Sequence, residues 1–387
     1  MEYLHSQSDQ RGGGLVNHKA HCNIKKLPEK VREGAELFAK AVVNSDSPPS
    51  PDNSSGGGAS PKRAYKVGGG RLPNGRVKPT RTFMVKPYFE DFGDWDGTYY
   101  PLAGFAEMAT QGLLHAGGLG DCAMKVHAFE DAKNGSKPLL AVELERGFKQ
   151  VGDTYNADDY TVPDSTKDKL MRVGIIDYLS NNQDRHGANL MARIEKVGKK
   201  NLATSLLAID HGRSFQYRLG NRFADANQEI EHFMFHLASP AIKQLLNPQG
   251  NGGARKLKDF LSPKRFTGLI EWWKDYRGPI KEAFEEHLKT IKDAKVKAWI
   301  SSNFKERMAT MNKLASHWDR SGKRADEIWK LDPEHIGNTF GVHAHKFINK
   351  VRPNDHGEDF LGDNRSSDND EYHGSQWCAE CAMYHTG

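Results

Sequence analysis

Two kinds of hydrophobic pattern divide this sequence, and their order constrains the fold more than any other feature. Strand-type alternation dominates residues 64–145, interrupted by one helix-type pattern over 101–117. A second helical pattern covers 164–180, a strand hairpin follows, and residues 223–318 are nearly all helical in pattern. We therefore expect an α+β protein of two lobes, a small β-rich lobe followed by a larger α-rich lobe.

The segments flanking this pattern are polar. Residues 45–62 are rich in Ser, Pro and Gly, a composition that cannot bury a core and predicts a disordered linker. A short helix is predicted before it, over 26–43. The predicted organisation is an N-terminal segment with linker, a small lobe, a large lobe and a polar tail, at 1–63, 64–147, 148–330 and 331–387.

Composition narrows the class of protein. The 387 residues carry a net charge of +5, which suits acidic ligands such as nucleotides but is no signature of nucleic-acid binding. Four cysteines are too few for a disulfide scaffold of this length and favour a reducing compartment. The N-terminus lacks a signal-peptide pattern, and no apolar run approaches the ~20 residues needed to cross a bilayer. We expect a cytoplasmic protein without a membrane partner.

The residues that indicate chemistry lie in two short motifs, NNQDRHGAN and LLAIDHG. Asp184 and Asn189 are five residues apart in the first motif. In the second, Asp210 is expected to end the apolar strand LLAI, where the chain turns at Gly212. Phosphoryl transfer needs a group that orients or deprotonates the acceptor hydroxyl, here Asp184, and oxygen ligands for Mg²⁺, here Asn189 and Asp210. Each motif alone is typical of a solvent loop or a hairpin turn. Their spacing and order together favour the functional interpretation.

Two upstream residues complete the set that phosphoryl transfer requires. The segment RTFMVKPYFE is a predicted strand whose alternation sets Phe83 and Val85 opposite Met84 and Lys86. From this strand the Lys86 ammonium could reach the α- and β-phosphates of a nucleotide. Glu107 lies one turn into the following helix and could pair with Lys86. The alternatives are a surface lysine on an amphipathic strand and a solvated helix glutamate.

DRHGAN together with IDHG resembles the catalytic and metal-binding loops of the protein-kinase-like superfamily. The resemblance is to its atypical branches: phosphatidylinositol 3- and 4-kinases, secretory-pathway-type kinases and HipA-like kinases. It implies a two-lobed kinase-like fold, ATP as phosphate donor, Asp184 as the catalytic aspartate, Asn189 and Asp210 as Mg²⁺ ligands, and Lys86 at the phosphates. His211 replaces the Phe of common protein kinases, and no Ala-Pro-Glu motif follows.

Element order places the rest of the nucleotide site. Adenine is expected against the backbone where the second hairpin strand ends, at Glu143, Leu144 and Glu145. The segment VGGGRLPNGRV, which contains Gly68, Gly69 and Gly70, is the nearest equivalent of a phosphate-covering glycine loop, although a glycine-rich turn alone is weak evidence.

The expected activity is ATP-dependent transfer of the γ-phosphate to a hydroxyl, with a protein Ser or Thr favoured as acceptor. One alternative is a catalytically silent nucleotide-binding pseudokinase scaffold in a larger assembly. Another is a phosphoinositide-type lipid kinase, for which the sequence offers no basic amphipathic membrane helix.

The tail contains a second candidate site. His373, Cys378, Cys381 and His385 form a His-x4-Cys-x2-Cys-x3-His arrangement, which could close a tetrahedral zinc site. His18, His21 and Cys22 near the N-terminus could contribute ligands, and a zinc-dependent interaction module is then a further function to consider. The alternative is a disordered tail that happens to carry two cysteines.

Overall fold

The computed structural model of the protein describes part of the chain, with gaps. The described residues are 63–67, 75–76, 81–87, 102–129, 139–151, 160–182, 184–215, 233, 236–237, 239–246, 259–320, 322, 375–378 and 383–386. The predicted helix over 26–43, the linker, and Gly68, Gly69 and Gly70 lie outside them.

A four-stranded antiparallel sheet forms the first part of the fold, in the order β1-β2-β4-β3. The alternation predicted for the second strand is confirmed, because Phe83 and Val85 are fully buried while Met84 and Lys86 are partly exposed. Lys86 therefore leaves the sheet on the face opposite the Phe83 side chain. The strands are β1 (Arg63–Val67), β2 (Arg81–Pro87), β3 (Lys125–Phe129) and β4 (Leu139–Leu144).

Helix α1 (Ala103–Ala116) follows β2 in sequence, where the periodicity predicted a helix. Its apolar positions Phe105, Ala106 and Ala109 are completely buried. The helix ends at Gly117, as predicted, and the Gly117 N–H donates to the Leu113 carbonyl at 2.9 Å. The helix packs against β3 and against later helices, so it is held on both sides.

Among the described residues, the second part combines a three-stranded antiparallel sheet, whose strands pair in chain order, with four α-helices. Helix α2 covers the 164–180 segment as predicted, and α4 begins at Pro263 with Ser262 at its N-cap position. The elements are β5 (Lys149–Gln150), α2 (Asp164–Ser180), β6 (Leu190–Val197), β7 (Lys200–Ala208), α3 (Pro240–Leu246), α4 (Pro263–Leu288) and α5 (Ala294–Arg320).

One strand end differs from the prediction. Asp210 was expected to end the strand itself, but β7 ends at Ala208. The Ile209 N–H still donates to the Asn189 carbonyl at 3.1 Å, in register with the last ladder pair, Leu190 and Ala208. Asp210 then adopts a left-handed backbone, with φ at 54°. The aspartate therefore stands on the turn that follows the strand.

Most of the core is one continuous apolar cluster that runs from Leu102 to Trp318. Helical spacing predicts core positions for the tryptophans of α4 and α5, and Trp273 and Trp318 are at most 1% exposed. The Phe266 and Trp318 rings meet edge to face at a centroid distance of 4.8 Å. The core thus supports the predicted α+β class.

In the tail, β8 (Ser375–Cys378) and β9 (Met383–Thr386) pair as a separate antiparallel ribbon. None of the helices in the described part of the chain is both long and apolar enough to cross a membrane.

Candidate active site

Lys86 joins two carboxylates that are far apart in sequence. Its Nζ lies 2.8 Å from Asp210 Oδ1 and 3.4 Å from Glu107 Oε2. The Glu107 side chain is 2% exposed, whereas that of Asp210 is 52% exposed. The ammonium is thus held from the protein interior by one carboxylate, while the other opens to solvent. The Lys86–Glu107 pair was predicted from sequence, and the geometry confirms that the two residues meet.

Glu107 is fixed by further hydrogen bonds. Its Oε2 accepts the backbone N–H of His211 at 2.8 Å, and its Oε1 accepts Gln111 Nε2 at 3.4 Å. Gln111 in turn accepts the Met124 N–H at 2.9 Å. A buried carboxylate needs such partners to offset the loss of hydration. As a result, Glu107 ties α1 to the segment that carries Asp210.

Asn189 and Asp184 are also brought together. Asn189 Nδ2 donates to the Asp184 carbonyl at 2.7 Å and to Asp184 Oδ2 at 3.1 Å. These bonds engage Nδ2 and so fix the orientation of the amide, and Oδ1 accepts no hydrogen bond from any described residue. An oriented oxygen of this kind is a suitable ligand for Mg²⁺.

Two basic side chains flank Asp184. His186 Nε2 lies 3.7 Å from Asp184 Oδ1, and Arg213 Nε lies 3.8 Å from Asp184 Oδ2. The Asp184 carboxylate remains 19% exposed and can therefore be reached from solvent. Arg213 was missed by sequence reasoning, because nothing in the local pattern after Asp210 indicates that the chain turns back toward Asp184.

His211 lies beneath the site and is completely buried. Its Nδ1 accepts Arg185 Nη2 at 2.8 Å, and its Nε2 lies 3.2 Å from the Ala208 carbonyl. Burial, and then the nearby Arg185 guanidinium, lowers the pKa of His211 from 6.5 to about 3. The imidazole is therefore neutral at physiological pH, with its proton on Nε2 donated to Ala208.

The buried neutral imidazole predicts a specific pH dependence of stability. The pKa of His211 is about 3 in the folded protein and near 6.5 when unfolded, so unfolding takes up a proton between these values. This contribution to stability is fully present above pH ~6.5 and is lost as pH falls toward ~3. Between pH 7 and pH 5 we expect wild type to lose on the order of 2 kcal/mol more than His211→Gln, which cannot titrate.

Urea denaturation of both proteins at pH 7, 6 and 5 measures this difference. Taking the difference between the two proteins removes the titration of all other groups. Equal pH dependence in the two would show that His211 is not held neutral in the fold.

An apolar surface lies beside these polar groups. Met124, Val142 and Leu207 form a buried cluster that links the four-stranded sheet to the β6–β7 hairpin. Met191 and Ile209, among others, are partly exposed and pack against it. The cluster adjoins the end of β4, which stops at Leu144, within the Glu143–Leu144–Glu145 backbone predicted to meet adenine. The strand patterns in the sequence indicated that Val142 and Leu207 belong to strands, but not that these two strands pack against each other.

The predicted site residues thus form two groups. Lys86, Glu107 and Asp210 make one, and Asp184 with Asn189 makes the other. The Ile209–Asn189 backbone hydrogen bond joins them. The amide oxygen of Asn189 and the half-exposed carboxylate of Asp210 are of the ligand types that Mg²⁺ takes in small number beside waters and phosphates.

The predicted zinc site is not tested by the structure. His373 and Cys381 lie outside the described residues, and Cys378 and His385 are placed only as members of β8 and β9. Within the described ranges, no three His, Cys, Asp or Glu side chains are grouped so as to hold a metal ion. The zinc site stays a prediction.

No protein-family model matches the sequence, and no curated protein matches it either.

Proposed function

We propose that the protein is a Mg²⁺-dependent phosphotransferase with a two-lobed kinase-like fold, which moves the γ-phosphate of ATP to a hydroxyl. The observation that carries the proposal is the contact of Lys86 with both Glu107 and Asp210, residues 21 and 124 positions away. Phosphoryl transfer depends on positioned charges more than on covalent catalysis. A lysine buttressed by a buried glutamate, beside a half-exposed aspartate, provides such positioning.

Each group then has a role. Lys86 directs its ammonium at phosphate oxygens, and Glu107 keeps it there. Asn189 Oδ1 and the Asp210 carboxylate would hold Mg²⁺, which supplies neutralisation of phosphate charge when bound. Asp184 orients the acceptor hydroxyl and takes its proton. Arg213 and His186 place basic groups next to that carboxylate, where they would stabilise the negative charge of a phosphoryl group.

The base of the nucleotide has a matching surface. The partly exposed side chains of Met191 and Ile209 lie on the apolar cluster that also includes Val142. Such a surface suits the flat face of adenine, whose edge is proposed to bind the backbone where β4 ends, at Glu143, Leu144 and Glu145. The segment with Gly68, Gly69 and Gly70 is proposed to cover the phosphates.

For the acceptor we propose a Ser or Thr of a protein in the cytoplasm. The pseudokinase scaffold and the lipid kinase are the competing functions, and a zinc site in the tail would be additional to any of them. The acceptor of the phosphate distinguishes the three functions: a protein for the protein kinase, a lipid for the lipid kinase and none for the scaffold.

The test uses ATP labelled at the γ- or the α-phosphate, with Mg²⁺, a mixed protein acceptor and phosphoinositide vesicles. We expect γ-label, and no α-label, on protein. Lys86→Met is expected to lower kcat/KM by roughly 10²–10³-fold, because a charge aimed at the phosphates is lost. Lys200→Met is the matched control, since Lys200 is exposed at the far turn of the β6–β7 hairpin.

Three outcomes would change the proposal. Label on vesicle lipid alone would replace the protein acceptor with a lipid. Tight ATP binding without transfer to any acceptor would support the scaffold. Equal rates for Lys86→Met and Lys200→Met would remove Lys86 from the phosphate site.

A further inference from the structure

A buried ion pair lies directly beneath the two groups of site residues. Asp177 on α2 and Arg185 in the loop after it are each 2% exposed at the side chain. Arg185 Nε donates to Asp177 Oδ2 at 2.9 Å and Nη2 donates to Oδ1 at 3.0 Å, a bidentate pairing. Neither residue was singled out from the sequence.

Arg185 also contacts both loops that carry site residues, the one with Asp184 and Asn189 and the one with Asp210. Nη1 donates to the Ile209 carbonyl at 2.7 Å and to the Asn189 carbonyl, while Nη2 reaches His211 Nδ1 at 2.8 Å. A guanidinium has five N–H donors in a fixed plane, and here each has an acceptor. Those acceptors lie on α2, on the loop that ends at Asn189, and on both sides of Asp210.

The network extends to the backbone of Asp184. Asn182 Nδ2 donates to Asp177 Oδ1 at 3.1 Å, and Asn182 Oδ1 accepts the Asp184 N–H at 3.1 Å. A buried polar network whose members are all satisfied is rigid, because any displacement leaves a buried group unpaired. The carboxylate of Asp177 therefore holds one loop through Asn182 and the other through Arg185.

We infer that Arg185, anchored by Asp177, is the positioning residue that sets the spacing between the two proposed metal ligands, Asn189 and Asp210. Arg185 Nη1 donates to the backbone carbonyl of Asn189 itself and to that of Ile209, the residue before Asp210. The inference rests on the proposed function for its chemical meaning. It adds that metal affinity depends on a residue that touches neither metal nor nucleotide.

A purely structural role makes a different prediction. An ion pair that only stabilises the fold would, when weakened, lower the unfolding temperature but leave the site of the remaining folded molecules unchanged. A positioning role changes the site itself. Lysine cannot reproduce the five planar donors, so Arg185→Lys keeps the charge and removes the geometry.

The experiment measures the dissociation constant of Mn²⁺, by electron paramagnetic resonance in the presence of saturating ATP, beside kcat and the KM for ATP. For Arg185→Lys we expect Mn²⁺ affinity to fall about 10–100-fold, the range for residues that orient metal ligands. We expect kcat to fall with it, and the KM for ATP at saturating metal to change less than about threefold. Thermal unfolding establishes that the variant is folded.

Arg265 offers a matched control. Its guanidinium pairs with Asp164 and Asp168 and donates to the Asp259 and Phe260 carbonyls, away from the site. Arg265→Lys is expected to lower stability without changing Mn²⁺ affinity. If Arg185→Lys does not fold, Asp177→Glu retains the charge while displacing the guanidinium, and the same loss of Mn²⁺ affinity is expected.

The failures are separable. The positioning role alone is overturned if the wild type transfers phosphate and the folded Arg185→Lys or Asp177→Glu variant binds Mn²⁺ with the wild-type affinity. A wild type that neither transfers phosphate nor binds Mn²⁺ with ATP overturns the proposed function and removes the inference with it.

Discussion

Replacing Asp210 with asparagine is expected to lower kcat for phosphate transfer by roughly 10³-fold while the protein stays folded. Asp210 supplies the only carboxylate of the proposed Mg²⁺ pair, because its companion Asn189 is neutral. Asparagine keeps the shape of the side chain and removes its charge. The substitution therefore weakens the site where the phosphates are to be neutralised.

Asparagine is also the replacement that the backbone tolerates. Asp210 has a φ of 54°, in the left-handed region that Asn and Asp enter more readily than other side chains. Its side chain is 52% exposed, so the amide of the substituted asparagine can be hydrated and is not left buried without a hydrogen-bond partner. Lys86 keeps its contact with Glu107. Alanine, by contrast, would combine loss of the ligand with backbone strain.

Initial rates across a range of Mg²⁺ concentrations measure this effect, and the half-saturating concentration should rise as kcat falls. Asp275→Asn is the control, since Asp275 is exposed on α4 and away from the site. Transfer by Asp210→Asn at the wild-type rate and with the wild-type Mg²⁺ dependence would exclude Asp210 as a metal ligand.

Local pattern was enough to predict the parts of the site that stand on regular elements. The alternation around Phe83 and Val85 predicts which face of β2 is buried, and therefore that Lys86 lies on the opposite face. The 3.6-residue period and the closing glycine give α1, and with it Glu107. Motif spacing predicted Asp184 and Asn189 in one loop, and the hydrogen bonds between them confirm that they meet.

What the pattern could not give are contacts decided by packing between distant segments. The His211 N–H meets Glu107 across 104 residues, and no local feature of either residue encodes the match. The same holds for Arg213 beside Asp184, and for the apolar surface shared by Val142 and Leu207.

Arg185 shows how a local interpretation can mislead. In the sequence it is one basic residue of an Asp-Arg-His triplet, typical of a solvent loop. In the fold its side chain turns inward, because Asp177 one turn from the end of α2 offers a buried bidentate partner. Charged side chains are rarely buried without such a partner. The partner, and not the residue itself, therefore determines on which side of the loop the arginine lies.

Asp184→Asn is expected to separate catalysis from binding. The loss of a general base costs about 10²–10⁴-fold in rate, so kcat should fall by that factor. ATP and Mg²⁺ affinity should remain within a few-fold of wild type, because Lys86, Asn189 and Asp210 are untouched. The amide oxygen of the substituted side chain can still accept the hydrogen bond from Asn189 Nδ2, so the loop should keep its conformation.

The measurement pairs isothermal titration of Mg²⁺ and ATP with single-turnover transfer of γ-label. The two results must be read together, because a scaffold and an enzyme of this fold would both bind nucleotide. In a scaffold, Asp184→Asn leaves affinity unchanged and there is no transfer to lose. In an enzyme, transfer falls while affinity persists, which assigns Asp184 to the acceptor side of the reaction and Asp210 to the metal side. A fall in affinity equal to the fall in rate would instead place Asp184 among the groups that hold the nucleotide.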